Sequence, residues 1–197
     1  MGNLKVEIPR KLFHIFGILT LLIPLQLWGS LSVALIMGFM LVVLFPISIF
    51  KIKSRWTYLF WKVIEFLERE ENLKTVPAKQ AFSLAAGIGL TALLFSEEVV
   101  EMVIVTTAVY DGTATIIGLI WGKHKLPNGK SLEGTIGGVL LNSLFLSFFV
   151  PVYYSLITSI FSAVVENLSS RKRWYTDDNF LIPILTGMFL YFLQVPS

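Results

Sequence analysis

Residues 99–121 read VVEMVIVTTAVYDGTATIIGLIW, and residues 122–134 that follow read GKHKLPNGKSLEG. The first stretch is long and apolar enough to cross a bilayer, which takes roughly 20 such residues, yet it carries Asp111 well inside. By helix rise the carboxylate lies roughly 16 Å from the end that meets the polar stretch. A carboxylate at that depth costs at least roughly 2.5 kcal/mol on insertion scales, so a partner, a metal or a wet cavity is expected around it. The pair of stretches therefore reads as a membrane helix with a functional acid, followed by a cationic loop at one membrane face.

The rest of the chain agrees. It has 197 residues, is 55% hydrophobic and 15% charged, and has a mean hydropathy of +0.74, outside the range of a domain whose surface meets water. Further apolar stretches cover residues 12–28, 31–50, 81–95, 135 to about 154, about 156–168 and 180–193. Pro24, Pro46, Pro151 and Pro183 are expected to kink or end helices. Together with 99–121 they predict an all-α polytopic transmembrane bundle of about seven spans, forming one integral-membrane domain over residues 1–197. Lys5, Arg10 and Lys11 precede an apolar run that no small-residue cleavage site convincingly ends, so that run reads as a retained first span. Cysteine is absent, which removes thiolate metal sites and a cysteine nucleophile from consideration.

Lys and Arg side chains mark the cytoplasmic side of a membrane protein. With the N-terminus cytoplasmic, all 16 of them fall on that side, in the N-terminal segment, the 51–79 connection, 123–130 and 171–173. None lies in the opposite connections. One missed helix would invert every later loop, so this segregation supports the span count and the orientation together. It also explains the net charge of +3 without a nucleic-acid partner. Within a cytoplasmic connector at about 52–78, Trp56, Leu59, Phe60, Val63 and Leu67 recur at helical spacing, which predicts an interfacial helix.

Four constellations carry chemistry. On a helix Asp111, Thr115, Gly118 and Gly122 share a face along which backbone or ligand can approach closely. The loop contributes Gly122, Lys123, Lys130, Ser131, Glu133 and Gly134. Its Gly-Lys-Ser fails as a P-loop, because the position of the first glycine holds His124 and no strand precedes it. Cations, hydroxyl and backbone donors beside a helix N-terminus nevertheless suit phosphate. Near the C-terminus, Glu166, Asp178 and Asn179 offer hard oxygen ligands of the kind Mg²⁺ prefers, while Asp177 reads as an N-cap of the final helix. At the N-terminus Arg10, Lys11 and His14 follow Pro9, which suits a first helical turn.

In order and spacing these pieces resemble the CTP-dependent lipid kinases that include dolichol kinase, phytol kinase and the CTP-using diacylglycerol kinase. Arg10-Lys11-Leu12-Phe13-His14 is similar to that family's Arg-Lys-x-x-His, and Asp111 to Gly134 to its Asp, Gly-Lys and Lys-Ser-x-Glu-Gly block. Glu166 with Asp178-Asn179 through Pro183 resembles its Glu and Asp-Asn-x-x-x-Pro element. The resemblance implies transfer of the γ-phosphoryl of CTP to a polyprenol- or dolichol-type hydroxyl, giving the lipid phosphate and CDP. Phytol and diacylglycerol are the other acceptors it suggests. It implies Asp111, Glu166 and Asp178 as Mg²⁺ ligands or hydroxyl-orienting groups. Lys130 with Arg10 or Lys11 would hold phosphates, and His14, Gly122, Lys123, Ser131, Glu133, Gly134 and Asn179 would line the nucleotide site. The active site would face the cytoplasm from a plasma or endoplasmic-type membrane, and the small-residue faces permit a homodimer.

The central block is also similar to that of phosphatidate cytidylyltransferases. Their Pro-Gly-His-Gly-Gly element has no counterpart after Glu166, and the two activities differ in releasing pyrophosphate or CDP. A third reading, a small transporter with an ion site at Asp111, predicts flux that persists without nucleotide.

Overall fold

The computed structural model describes residues 4–68, 70–170 and 173–194; the first three residues, Arg69, Arg171, Lys172 and the last three residues lie outside them. It is an all-α membrane bundle. In chain order the helices are α1 (Leu4–Leu19), α2 (Leu22–Trp28), α3 (Ser30–Phe39), a π-helical segment (Met40–Leu44) and α4 (Phe45–Ile49). There follow α5 (Tyr58–Leu67), α6 (Glu70–Lys74), α7 (Lys79–Leu94), α8 (Glu97–Trp121), α9 (Leu132–Leu146), α10 (Val152–Leu168), a 3₁₀ turn (Trp174–Thr176) and α11 (Asp178–Leu193). Among the described residues three helices, Glu7–Trp28, Ser30–Ile49 and Glu97–Trp121, are long and apolar enough to cross a membrane, and α7, α9, α10 and α11 are shorter apolar helices.

The helix that carries Asp111 is the axis of the bundle. α8 packs against α1, α2, α7, α9, α10 and α11, and from Val99 to Gly112 nearly every side chain is buried. A helix apolar on all faces belongs in such an interior. The outer helices instead turn Trp28, Leu35, Phe39, Phe50, Phe148 and Phe192 outward, all more than half exposed. So continuous an apolar exterior is stable only against hydrocarbon.

Small residues draw α9 onto α8. A Cβ on Gly134 would collide with the backbone oxygen of Ala114, and one on Gly138 would sit 2.7 Å from the Ala114 Cβ. Their absence lets the two backbones touch, as small residues do between membrane helices.

Several boundaries differ from the sequence reading. The first apolar run is broken at Thr20 and Leu21 into α1 and α2. Pro9 lies inside α1 rather than in its first turn, because the helix begins upstream at Leu4. The fifth and sixth apolar runs are divided at 147–151 by the expected turn near Pro151, which caps α10, so the fifth run ends earlier than residue 154. Pro183 sits inside α11 without ending it.

The 51–79 connection contains the expected helix, α5, but Trp56 precedes it, and its buried residues are Trp61 and Ile64 rather than the expected stripe, of which Leu59 and Val63 are exposed. Trp61 Nε1 donates to the Ile52 oxygen at 2.8 Å, and Ser48 Oγ donates to the Pro77 oxygen at 2.6 Å. The first bond folds α5 back on the start of the connector, and the second ties the connector's far end to α4.

Candidate active site

Asp111 is 3% exposed and does not stand alone. Lys11 Nζ from α1 donates to its Oδ2 at 2.7 Å, and His14 Nε2, one turn on, lies 3.0 Å from the same oxygen. The i, i+3 spacing of Lys11 and His14 puts both on one face of α1, and α1 lies along α8. The cost of the buried carboxylate is thus met by an ion pair formed across 100 residues of sequence.

A second group of charges meets the first. Lys130 Nζ donates to Glu166 Oε1 and, at 2.8 Å, to Asp178 Oδ2. Glu166 and Asp178 are 1% and 2% exposed, placed near the C-terminal end of α10 and at the first residue of α11. Tyr110, fully buried beside Asp111, donates its hydroxyl to the other oxygen of Glu166 at 2.8 Å. Carboxylate oxygens of Asp111, Glu166 and Asp178 come within 4.8 Å of one another. Burial alone would push the Lys130 ammonium down, but the carboxylates of Asp178, Glu166 and Asp111 hold it above the ordinary lysine range. It is therefore a fixed cation at any physiological pH.

The loop that delivers Lys130 is a tight turn. Leu126 N donates to the Lys130 oxygen and Gly129 N to the Leu126 oxygen, both at 2.9 Å, while Lys125 and Ser131 form an antiparallel bridge. Gly129 has φ +82°, a conformation costly for any residue with a Cβ. Asn128 accepts from Lys130 N at 3.0 Å and donates to Asn167 at 3.1 Å, which fastens the turn to α10.

The other expected residues stand outside this charge cluster. Ser131 caps α9 by accepting from Gly134 N at 3.1 Å. Gly118 and Gly122 both face it, since a Cβ on either would lie within 2.7 Å of its hydroxyl. Glu133 accepts from the backbone amides of Lys123 and His124, and from the His124 ring at 2.6 Å, so its carboxylate is engaged in bracing the loop. The Lys123 side chain is exposed. Arg10 pairs with Glu7 at 2.6 Å. Asp177 caps α11 as read from the sequence, accepting from the amide and side-chain nitrogens of Asn179 at 3.1 and 2.7 Å; its own carboxyl is pushed up by burial and by the neighbouring Asp178.

Tyr110 was missed by the sequence reading, because inside an apolar run it looks like core. The available signal was its hydroxyl, which a buried tyrosine must satisfy, next to an acid.

Above the charge cluster opens a polar cavity of about 450 Å³. Thr115, Lys125, Asn128, Lys130, Ser169 and Ser170 line it, with Glu166 and Asp178 at its base. Three carboxylates with hard oxygens in mutual reach form a donor set that suits Mg²⁺, which binds through one or two carboxylates and completes its shell with water and phosphate oxygens. Among the five side chains Lys11, Asp111, Lys130, Glu166 and Asp178, three anions face two cations, leaving room for added positive charge. The arrangement combines a fixed cation, a cation-binding acid cluster and a hydroxyl-rich cleft.

Comparison with known proteins bears on what this cluster does. No family model and no solved structure matches the chain. The CTP-dependent diacylglycerol kinase 1 of Eremothecium gossypii is 26% identical over 218 residues, covering 95% of this chain and 67% of the relative. The protein of the same name from Saccharomyces cerevisiae is 26% identical, covering 94% and 73%. That from Schizosaccharomyces pombe is 25% identical, covering 96% and 94%. An uncharacterized protein of Methanocaldococcus jannaschii is 29% identical, covering 93% and 92%. The likeness runs along nearly the whole chain, and so through the helices that build the site, and it supports the family of CTP-dependent lipid kinases.

Proposed function

We propose that this protein transfers the γ-phosphoryl group of CTP to the hydroxyl of a membrane lipid alcohol, releasing CDP, at the cytoplasmic face of a seven-span, single-domain bundle. The observation that carries this reading is the position of Lys130, held between Glu166 and Asp178 at the base of a polar cavity and within reach of the Asp111 cluster. Seven crossings fit three long and four shorter apolar helices, and the segregated Lys and Arg residues support the orientation.

Phosphoryl transfer asks for alignment and charge neutralisation more than for covalent protein chemistry. Lys130 is a fixed ammonium for the phosphate oxygens, and Lys125 adds a second at the cavity wall. Asp111, Glu166 and Asp178 would hold Mg²⁺, which when bound neutralises charge on the triphosphate. Tyr110 and Lys130 grip Glu166 from two sides and keep its carboxylate aimed at the centre. The acceptor oxygen forms a bond to the γ-phosphorus while the bond from that phosphorus to the β-γ bridging oxygen breaks, and CDP leaves with the electron pair. Asp111 with His14 is positioned to take the hydroxyl proton.

CTP as donor and a lipid alcohol as acceptor are supported by the names of the relatives. Diacylglycerol is thereby the first acceptor to test, ahead of the polyprenol- and dolichol-type alcohols suggested by the motif resemblance. Incubation of the purified protein with γ-labelled CTP, Mg²⁺ and mixed micelles of diacylglycerol, dolichol, phytol or geranylgeraniol should place the label in a lipid monophosphate, with CDP in equal amount. Pyrophosphate release with cytidylyl transfer to the lipid would overturn the reading in favour of CDP-lipid synthesis. No transfer to any acceptor by folded protein would reject both.

A further inference from the structure

A second cavity, of about 770 Å³, shares no wall residue with the polar one. It is a groove between α1, α3, the π segment, α5 and α7, with walls that include Ile18, Leu21, Met37, Leu44, Phe60 and Ile64. Two local features hold it open. The π-helical turn at Met40–Leu44 widens the helix beside it, as such turns do at functional sites. Gly17 on the α1 wall leaves space that a Cβ would enter without meeting any atom within 4 Å.

One end of the groove is polar, and it is the end that touches the reacting cluster. Lys11 and His14 line it and bind Asp111; Asn179 lines it and directly follows Asp178, which lines the polar cavity. The acid cluster thus touches wall residues of both cavities. α5 forms one wall, contributing Leu59, Phe60, Val63, Ile64 and Leu67 to it, as an amphipathic helix suited to the zone where a lipid's polar end meets its hydrocarbon.

We infer that this groove is the acceptor site, and that it takes the hydrocarbon portion of one lipid alcohol, whose hydroxyl is directed by Lys11 and His14 toward Asp111. The inference rests on the lipid kinase reading above and adds to it where the acceptor binds. An apolar groove inside a bilayer fills with some hydrocarbon in any case, so the specific occupant follows from the polar end. Lys11 and His14 at the polar end, with Asp111 behind them, recognise a hydroxyl, whereas a packing helix from a second copy would need that end apolar. Nucleotide and lipid then reach the same carboxylates from opposite sides, one through a hydroxyl-lined cleft and one through hydrocarbon, as two substrates of opposite polarity require.

The test uses the whole protein in lipid nanodiscs with diacylglycerol that carries a diazirine in its acyl chain. Photolysis should give adducts on the groove-facing residues of α1, α5 and the π segment. Gly17→Trp, which fills the space at that wall, should raise the KM for the lipid by about tenfold or more, with CTP affinity by calorimetry changed less than twofold. Gly38→Trp is the bulk control, since Gly38 on α3 also has open space but lies outside the groove; it should leave both constants alone. Adducts confined to other lipid-facing surfaces, cross-links between two copies through the groove, or an unchanged lipid KM in folded Gly17→Trp would overturn the inference. Failure of the kinase reading looks different: the adducts stay in the groove, and no phosphoryl group passes from CTP to any lipid.

Discussion

The two cavities of this protein are built from different parts of its helices. The polar one is made of helix ends and a loop: the last two turns of α8, the 122–131 turn, the start of α9, the end of α10 and the start of α11. Helix ends have unsatisfied backbone groups and tolerate hydroxyls and charges. The apolar one is made of helix middles, with side chains that would pass for ordinary core in a soluble protein. A single bundle thus presents water chemistry at its rim and hydrocarbon chemistry between its helices. The acids that must serve both stand at the boundary, each covered by a cation.

The sharpest way to break this picture is to strike the boundary. Asp178→Asn keeps Lys130 paired to Glu166, so the fold should survive, while phosphoryl transfer should fall by about a thousandfold or more, as when a preorganised transition-state group is removed. A lipid phosphate yield near wild type would separate Asp178 from the chemistry. Lys11→Met tests the groove side of the same boundary. Loss of one partner from a buried pair costs roughly 3–5 kcal/mol, so the variant should melt well below wild type in detergent as well as lose activity. An unchanged melting temperature would mean that Lys11 and Asp111 are not paired in the membrane.

Smaller changes sharpen the contrast. Tyr110→Phe removes the hydroxyl that holds Glu166 without touching either cavity wall. It should lower kcat about tenfold, by analogy with outer-sphere partners of metal ligands, and leave both KM values in place. A shift confined to the lipid KM would move Tyr110 to the acceptor side. Lys125→Ala, at the exposed rim of the polar cavity, should raise the KM for CTP a few-fold, and the effect should fade as salt screens it. The lipid KM should not follow.

What could be read from the sequence follows the same division. Apolar run length located the seven apolar regions, because hydrocarbon thickness imposes a length on each. The segregation of Lys and Arg placed Lys130, Glu166 and Asp178 on one side of the membrane, and in the structure Lys130 contacts both acids. Asp111 declared itself by the cost of its burial. Its partners did not, since no periodicity links Lys11 to a residue 100 positions away; the topology put Lys11 and His14 on the side toward which Asp111 could open, without pairing them. The groove was invisible for a further reason. Its walls come from several elements far apart in the chain, one of them a π turn, and neither hydropathy nor helical spacing shows that they enclose a common space. The break at Thr20 and Leu21 and the helix running through Pro9 escaped for the same cause, because neighbouring helices decide where a membrane helix bends.

The most direct measurement is a calorimetric titration of CTP into the purified protein, with and without Mg²⁺, for wild type and Asp178→Asn. Convergence of Asp111, Glu166 and Asp178 on one triphosphate predicts that Mg²⁺ strengthens CTP binding to wild type and that Asp178→Asn loses that gain. Equal CTP binding by both proteins, indifferent to Mg²⁺, would place the nucleotide elsewhere and contradict the account.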